Sequence, residues 1–172
     1  MTDSFREVEQ RVALTRKRLR GYPHEQVLLA RLVTHVQKRQ TDLCNAALKP
    51  HELNMVTYTA LMMLYGSPEQ TLTPSALSQA TGEKPTNVTR VCDELLARGL
   101  IERSASTADR RQVVLRLSPA GEALIVALQP GIRQALQQLY GDFDAAQIAA
   151  LTTLLRQVLV RTDAPSSTPP LP

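Results

Sequence analysis

The chain has 172 residues, enough to bury a real core as one compact domain or as a small module carried on a helical frame. Its 20 Lys and Arg against 16 Asp and Glu give a formal charge of +4, compatible with nucleic acid and equally common in proteins that bind none. Two cysteines are too few and too far apart for a zinc knuckle or a disulfide framework, and the charged start MTDSFREVEQR lacks the apolar core of a secretory signal. No stretch as long as a membrane span is free of charge, so the cytoplasm is the expected location and no membrane is expected as a partner. The basic surplus is concentrated, with nine basic and three acidic side chains in residues 6–39 and seven and four in residues 84–116.

Residues 4–20 predict a short basic helix ending at the Gly21, Tyr22, Pro23 break. From His24, Val27, Leu28, Ala30, Arg31, Leu32, Val36, Leu43, Ala47 and Leu48 fall at mostly helical spacing as far as Pro50. NMVTYTALMMLYG predicts a helix with Asn54 as N-cap and Gly66 as stop. Thr73 and Pro74, a cap and N1 pair, open SALSQATG, which Gly82 ends; Pro85 opens TNVTRVCDELLARG, which Gly99 closes. Two helices joined by TGEK, the second with Val88, Val91, Cys92, Leu95 and Leu96 along it, fit a helix-turn-helix.

GLIERSA and the following STADRRQVVLRLSPAG then pair as a hairpin. Ser106 to Asp109 are turn-like, Arg110 and Arg111 make the tip basic, and Val113, Leu115 and Leu117 alternate with Val114 and Arg116. A helix-turn-helix followed by such a hairpin is a winged helix. Ser118 and Pro119 open a long helix expected to bury Ala123, Leu124, Val126, Ala127, Ile132, Leu136 and Leu139, with Pro130 kinking or dividing it. Asp144 caps a final helix whose broad apolar face is Ile148, Leu151, Leu154, Leu155, Val158 and Leu159. The expected fold is mainly α with a small β-hairpin: a winged helix-turn-helix domain over 51–118 on a helical dimerisation frame from 1–50 and 119–162, followed by a flexible Ser/Pro tail at 163–172. Outer helices with wide apolar stripes need another surface, and packing across a twofold homodimer supplies one.

On the helix opened by Pro85, Thr86, Thr89, Arg90 and Asp93 fall opposite Val88, Cys92 and Leu95, where a recognition helix meets base edges. Arg90 can donate two bonds to guanine, and Asn87 can pair with adenine or hold a phosphate; taken singly, such residues also fit a solvated helix start. Arg110 and Arg111 suit a narrow, negative minor groove, whereas Asp109 would repel phosphate and is assigned to pin a neighbouring arginine. Ser75, Ser78 and Lys84 can anchor phosphates, and Arg98 or Arg103 can extend the positive rim. Cys92 shares helical spacing with Val88 and Leu95 and reads as a buried thiol; Cys44 is left open. The three histidines, His24, His35 and His51, are 11 and 16 apart and make no metal pair, and neither a glycine-rich loop after a strand nor G-x-S-x-G occurs. No enzyme, metal or cofactor is therefore expected. A winged-helix module for protein contacts is the other class, and it leaves Arg90, Arg110 and Arg111 unexplained as a set.

NVTRVCDELLARGLIERSASTADRRQVVLRLSPAG resembles the recognition helix, wing and entry to the next helix of the MarR family of bacterial transcriptional regulators. The resemblance covers nearly the whole chain except the tail, and LLARLVTHVQKR and PTNVTRVCDEL are similar more narrowly to its EmrR-like branch of multidrug efflux repressors. It implies a homodimer on double-stranded, palindromic operator DNA, with Arg90 and Asn87 in the major groove, Arg110 in the minor groove, and Asp109 and Arg111 bracing the wing. Ser118 stands where the family usually has threonine, and either hydroxyl caps. The resemblance further implies a small aromatic or amphipathic effector that binds between the dimerising helices and the winged domain and releases DNA. Asn54, Tyr58, Met62 and Tyr65, spaced 4, 4 and 3 apart, are the candidates for that site, with core packing the other reading of Met62. Cysteine-based redox sensing is an alternative mode of regulation within the family.

Overall fold

The computed structural model describes residues 4–105 and 112–163. The expectations for Asp109, Arg110 and Arg111 at the wing tip, and for the tail beyond Asp163, lie outside the described residues. Two compact units divide after Ala135.

In the first unit, helix α1 (Arg6–Arg18) buries Val12 alone, and Phe5 just before it sets its ring 5.4 Å from that of His35. Helix α2 (His24–Leu48) buries only Cys44 and Leu48, so its central apolar residues Leu29, Leu32, Val33 and Val36 remain exposed. A 3-10 turn, Lys49–His51, leads to Glu52 in a left-handed conformation and then to α3 (Met55–Tyr65). Asn54 and Thr57 close α3 with a reciprocal capping box, and Gly66 stops it, both as the sequence predicts.

After a second 3-10 turn, Pro68–Gln70, come β1 (Thr71–Leu72), α4 (Pro74–Thr81), α5 (Pro85–Ala97), β2 (Ile101–Ala105) and β3 (Val113–Leu117). The antiparallel sheet has the order β1-β3-β2, with Thr71 opposite Arg116 and Ile101 opposite Leu117. The hairpin expected from sequence is therefore a three-stranded sheet. Its third strand, β1, spans two residues and is too short to show alternation.

Leu61 and Leu64 of α3, Leu77 of α4 and Val88, Val91, Cys92 and Leu95 of α5 meet Ile101, Leu115 and Leu117 in one core. The spacing of the α5 residues, i, i+3, i+4 and i+7, places them on one stripe and leaves the rest of the helix for other work. Each large aliphatic side chain buried there contributes about 1.5–3 kcal/mol relative to an exposed one.

Helix α6 (Pro119–Tyr140) continues through Pro130, which does not divide it. Its buried face is Gly121, Ile125, Leu128, Ile132 and Ala135, displaced from the expected one; Ala123 and Ala127 are exposed and Val126 is 62% exposed. The phase is set at the first turn. Ser118 N donates to Leu100 O at 3.1 Å, and Ser118 Oγ donates to Gly99 O at 2.7 Å and accepts from Gly121 N at 3.0 Å. Gly121 thereby faces the segment between α5 and β2, and any Cβ there would lie 2.2 Å from Leu100 O and 2.8 Å from Leu117 Cδ1. Because apolar residues occupy both 125 and 126, the sequence pattern alone does not select the phase.

In the second unit, Asp144 and Gln147 form a reciprocal capping box at the start of α7 (Ala145–Asp163), confirming Asp144 as the cap. Every residue from 141 to 162 is exposed in the single chain, including Leu154, Leu155, Val158 and Leu159. No single helix among the described residues is long and apolar enough to cross a membrane. The close approach at Gly121 gives a stability test: Gly121→Ala is expected to cost about 1–3 kcal/mol or more, as a lower urea midpoint at unchanged slope, and an unchanged midpoint would show slack at this crossing.

Candidate nucleic-acid interface

The α4–turn–α5 unit is fixed by local chemistry. Thr73 Oγ1 caps α4 by accepting from Ala76 N, Pro74 occupies the first turn, and Gly82 ends the helix at φ 70°. In the turn, Ser78 Oγ donates to Glu83 O at 2.6 Å, tying α4 to the approach to α5. With its apolar stripe in the core, α5 turns Thr86, Thr89, Arg90 and Asp93 to solvent, and Asn87 is half-buried.

These side chains are not equally ready to meet phosphate. Lys84 and Thr86 are exposed, and Ser75 Oγ shares a hydrogen bond with Thr73 Oγ1 at 3.1 Å. The hydroxyl protons of Ser78 and Thr89 are engaged by the carbonyls of Glu83 and Pro85, the latter at 3.1 Å. A hydroxyl has one proton, so either residue must release its carbonyl before it donates to phosphate.

Arg90 and Asn87 belong to a chain of hydrogen bonds along α5. Asn87 Nδ2 donates to Glu83 Oε2 at 2.6 Å, Arg90 Nη2 and Nε donate to Asn87 Oδ1 at 3.0 and 3.2 Å, and Arg90 Nη1 donates to Glu94 Oε2 at 3.3 Å. Sequence reasoning named Asn87 and Arg90 and missed Glu83 and Glu94. The signal was present in the 4, 3 and 4 spacing of Glu83, Asn87, Arg90 and Glu94, which places them on one helical stripe.

Arg103 of β2 reaches Asp93 of α5 at 3.6 Å, so the base of the hairpin is tied to the exposed face of that helix. Arg98, named with Arg103 for a positive rim, also has a structural role. Its Nη1 and Nη2 donate to the carbonyls of Glu52 and His51 at 2.9 and 2.8 Å, which holds the end of α5 to the α2–α3 junction. Arg116, unassigned from sequence, donates from Nη1 to Glu69 O at 3.0 Å.

Both cysteines are buried. Burial pushes the Cys44 thiol up; it does the same to Cys92, where Arg103 opposes and Asp93 reinforces the shift. Among the effector candidates, Asn54 Oδ1 is engaged in capping α3, Met62 packs against the core, and Tyr65 is 39% exposed. Burial pushes the Tyr58 phenol up, Cys44 adds to that, and a hydrogen bond with the Gln129 side chain works against it. Among the described residues no cluster of His, Cys, Asp or Glu is arranged to hold a metal ion.

Residues 51–112 match the family model described as MarR family. The transcriptional repressor MprA of Escherichia coli K12 is 33% identical over 163 residues, which is 95% of this chain and 93% of that protein. Two solved structures share 26% identity with the chain: a mutant MarR from E. coli complexed with operator DNA, and Bordetella bronchiseptica BpsR, studied for the regulation of its DNA binding by 6-hydroxynicotinic acid. The first has a TM-score of 0.71 and covers 78% of this chain and 96% of its own; the second has 0.69, 79% and 94%. With a winged helix-turn-helix whose recognition helix turns a polar face outward, and a relative matched almost end to end, the chain belongs to the MarR family of transcriptional regulators and is a DNA-binding regulator, not an enzyme.

Proposed function

We propose that the protein is a dimeric repressor that binds a palindromic operator and releases it when a small aromatic or amphipathic molecule binds. The observation that carries this reading is α5: an inner stripe locked into the core and an outer face bearing Arg90 between exposed threonines. Thr86, Thr89, Arg90 and Asn87 then lie toward the bases, Ser75, Ser78 and Lys84 toward phosphates, and Arg110 toward the minor groove, with Asp109 and Arg111 bracing the wing. Repression is supported by the likeness to the repressor MprA.

Dimerisation is supported by the apolar residues each unit leaves exposed, Leu29, Leu32, Val33 and Val36 on α2 and Leu154, Leu155, Val158 and Leu159 on α7. Such patches on a single chain mark an interaction surface. Residues 1–50 and 119–162 form the frame in this proposal, and 51–118 the module it carries. A twofold axis would present α5 to two half-sites about one helical turn apart, which is why the operator is expected to be palindromic.

The effector site is placed along α3, at Asn54, Tyr58, Met62 and Tyr65. BpsR, whose DNA binding is regulated by an aromatic acid, supports the ligand class. Release requires the ligand to bind the DNA-free geometry more tightly than the DNA-bound one, because tight binding to both shifts nothing. Redox control is disfavoured by the burial of both thiols and the upward shift of each, since the thiolate is the reactive form.

Three outcomes test this reading. Sedimentation equilibrium at micromolar concentration should give twice the chain mass, and Val158→Glu should yield a monomer that no longer retards duplex DNA; a monomeric parent would remove the frame. Arg90→Ala should lose about 1–3 kcal/mol of base discrimination at one position per half-site, and a full operator series bound equally by parent and variant would exclude Arg90 as a reader. Titration of aromatic acids and amphipathic cations into the protein–operator complex should find compounds that release DNA, with Tyr58→Phe needing a higher concentration. Release by none of them, or equal potency on both proteins, would respectively reject the effector class and the Tyr58 hydroxyl.

A further inference from the structure

The hydrogen bonds along α5 divide labour between residues that sequence alone would treat as equals. We propose that Arg90, and not Asn87, reads a base there, and that Asn87, Glu83 and Glu94 are positioning residues that hold its guanidinium in a reading orientation. This rests on the proposed role of α5 as the recognition helix.

Asn87 is the first indication. Reading adenine takes both ends of an asparagine amide, one to donate and one to accept. Here Nδ2 donates one N–H to Glu83 Oε2 and Oδ1 accepts twice from Arg90, so the acceptor that an adenine amino group requires is already taken. Glu83, just before the N-terminus of α5, also fixes which way the amide points: with Nδ2 drawn to the carboxylate, Oδ1 must face Arg90.

The hydrogen-bond inventory of Arg90 is the second. A guanidinium has five N–H groups, and the bonds from Nε, Nη2 and Nη1 use one on each nitrogen. One N–H remains on each of Nη1 and Nη2, and a bidentate contact with guanine O6 and N7 can draw one donor from each. The bracket leaves free what base reading needs and engages the rest.

The third is electrostatic. Two carboxylates flanking a DNA-facing arginine weaken general attraction to phosphate, so their presence calls for another function. As an exposed pair, Arg90 and Glu94, with side chains 59% and 32% exposed, add little to folding stability. Their value lies in ordering a long side chain before it meets DNA, which spares that cost on binding and is worth about twofold to tenfold in affinity for the correct base.

The test uses the full chain and a pool of duplexes with a randomised centre, selected by binding and sequenced to give base preference at each position. Arg90→Ala should flatten one position per half-site. Asn87→Ala, Glu83→Gln and Glu94→Gln should weaken preference at that same position by about twofold to tenfold and leave every other position unchanged, with thermal unfolding confirming that each variant folds. In the Arg90→Ala background, adding Glu94→Gln should have no further effect on preference. A change at a different position in Asn87→Ala would make Asn87 a reader and overturn the proposal, as would parental preference in all three positioning variants beside a loss in Arg90→Ala. Parental preference in Arg90→Ala itself would remove the reading of α5 on which the proposal rests.

Discussion

The contact of the first turn of α6 with the segment joining α5 to β2 governs the rest of the winged unit. There the backbone of Leu100 and the side chain of Ser118 hold the first turn of α6, and Gly121 lets the two chains approach to a distance no side chain would permit. One glycine thus sets the phase of a 22-residue helix. It also fixes the start of β2, because Leu100 leads directly into Ile101, which pairs with Leu117 beside Ser118. The recognition helix, the hairpin and the helix leading out of the module are anchored within a few residues of one another. Arg98 adds a second anchor at the same end, bonding to the carbonyls of His51 and Glu52, so α5 cannot shift without disturbing the junction between α2 and α3.

Much of this was legible in the sequence because capping residues and glycines act locally. Asn54, Thr73 and Asp144 mark helix ends through bonds to nearby backbone groups, Gly82 and Pro85 through the backbone angles they favour, and the helices begin or end where those residues indicate. The 3.6-residue pattern of α5 likewise gave its buried stripe, since Val88, Val91, Cys92 and Leu95 stand among polar residues with no competing phase. The apolar pattern of α6 was ambiguous, and only a long-range contact at Gly121 resolved it. For the same reason β1 was missed: two residues carry no period, and their strand character comes from pairing with β3 more than forty residues away.

The candidate site was legible as a set of residue types and not as an arrangement. Arg90 and Asn87 are recognisable as groups that can read DNA, but their linkage to Glu83 and Glu94 depends on rotamers that sequence does not specify. Arg98 likewise has a structural role that its charge alone does not reveal, since its guanidinium bonds to two backbone carbonyls. Apolar residues of α2 and α7 were legible as stripes, and many of them stay exposed in the single chain.

The central claim is that α5 enters the major groove once in each of two half-sites. Both native thiols are buried, so a cysteine introduced at exposed Thr86 gives a selective attachment point for an iron chelate that cleaves nearby DNA. On a duplex selected from a randomised pool, Thr86→Cys carrying the chelate should cut in two clusters separated by about 10 base pairs or a multiple of that spacing. A single cluster, or cleavage spread evenly along the duplex, would contradict it.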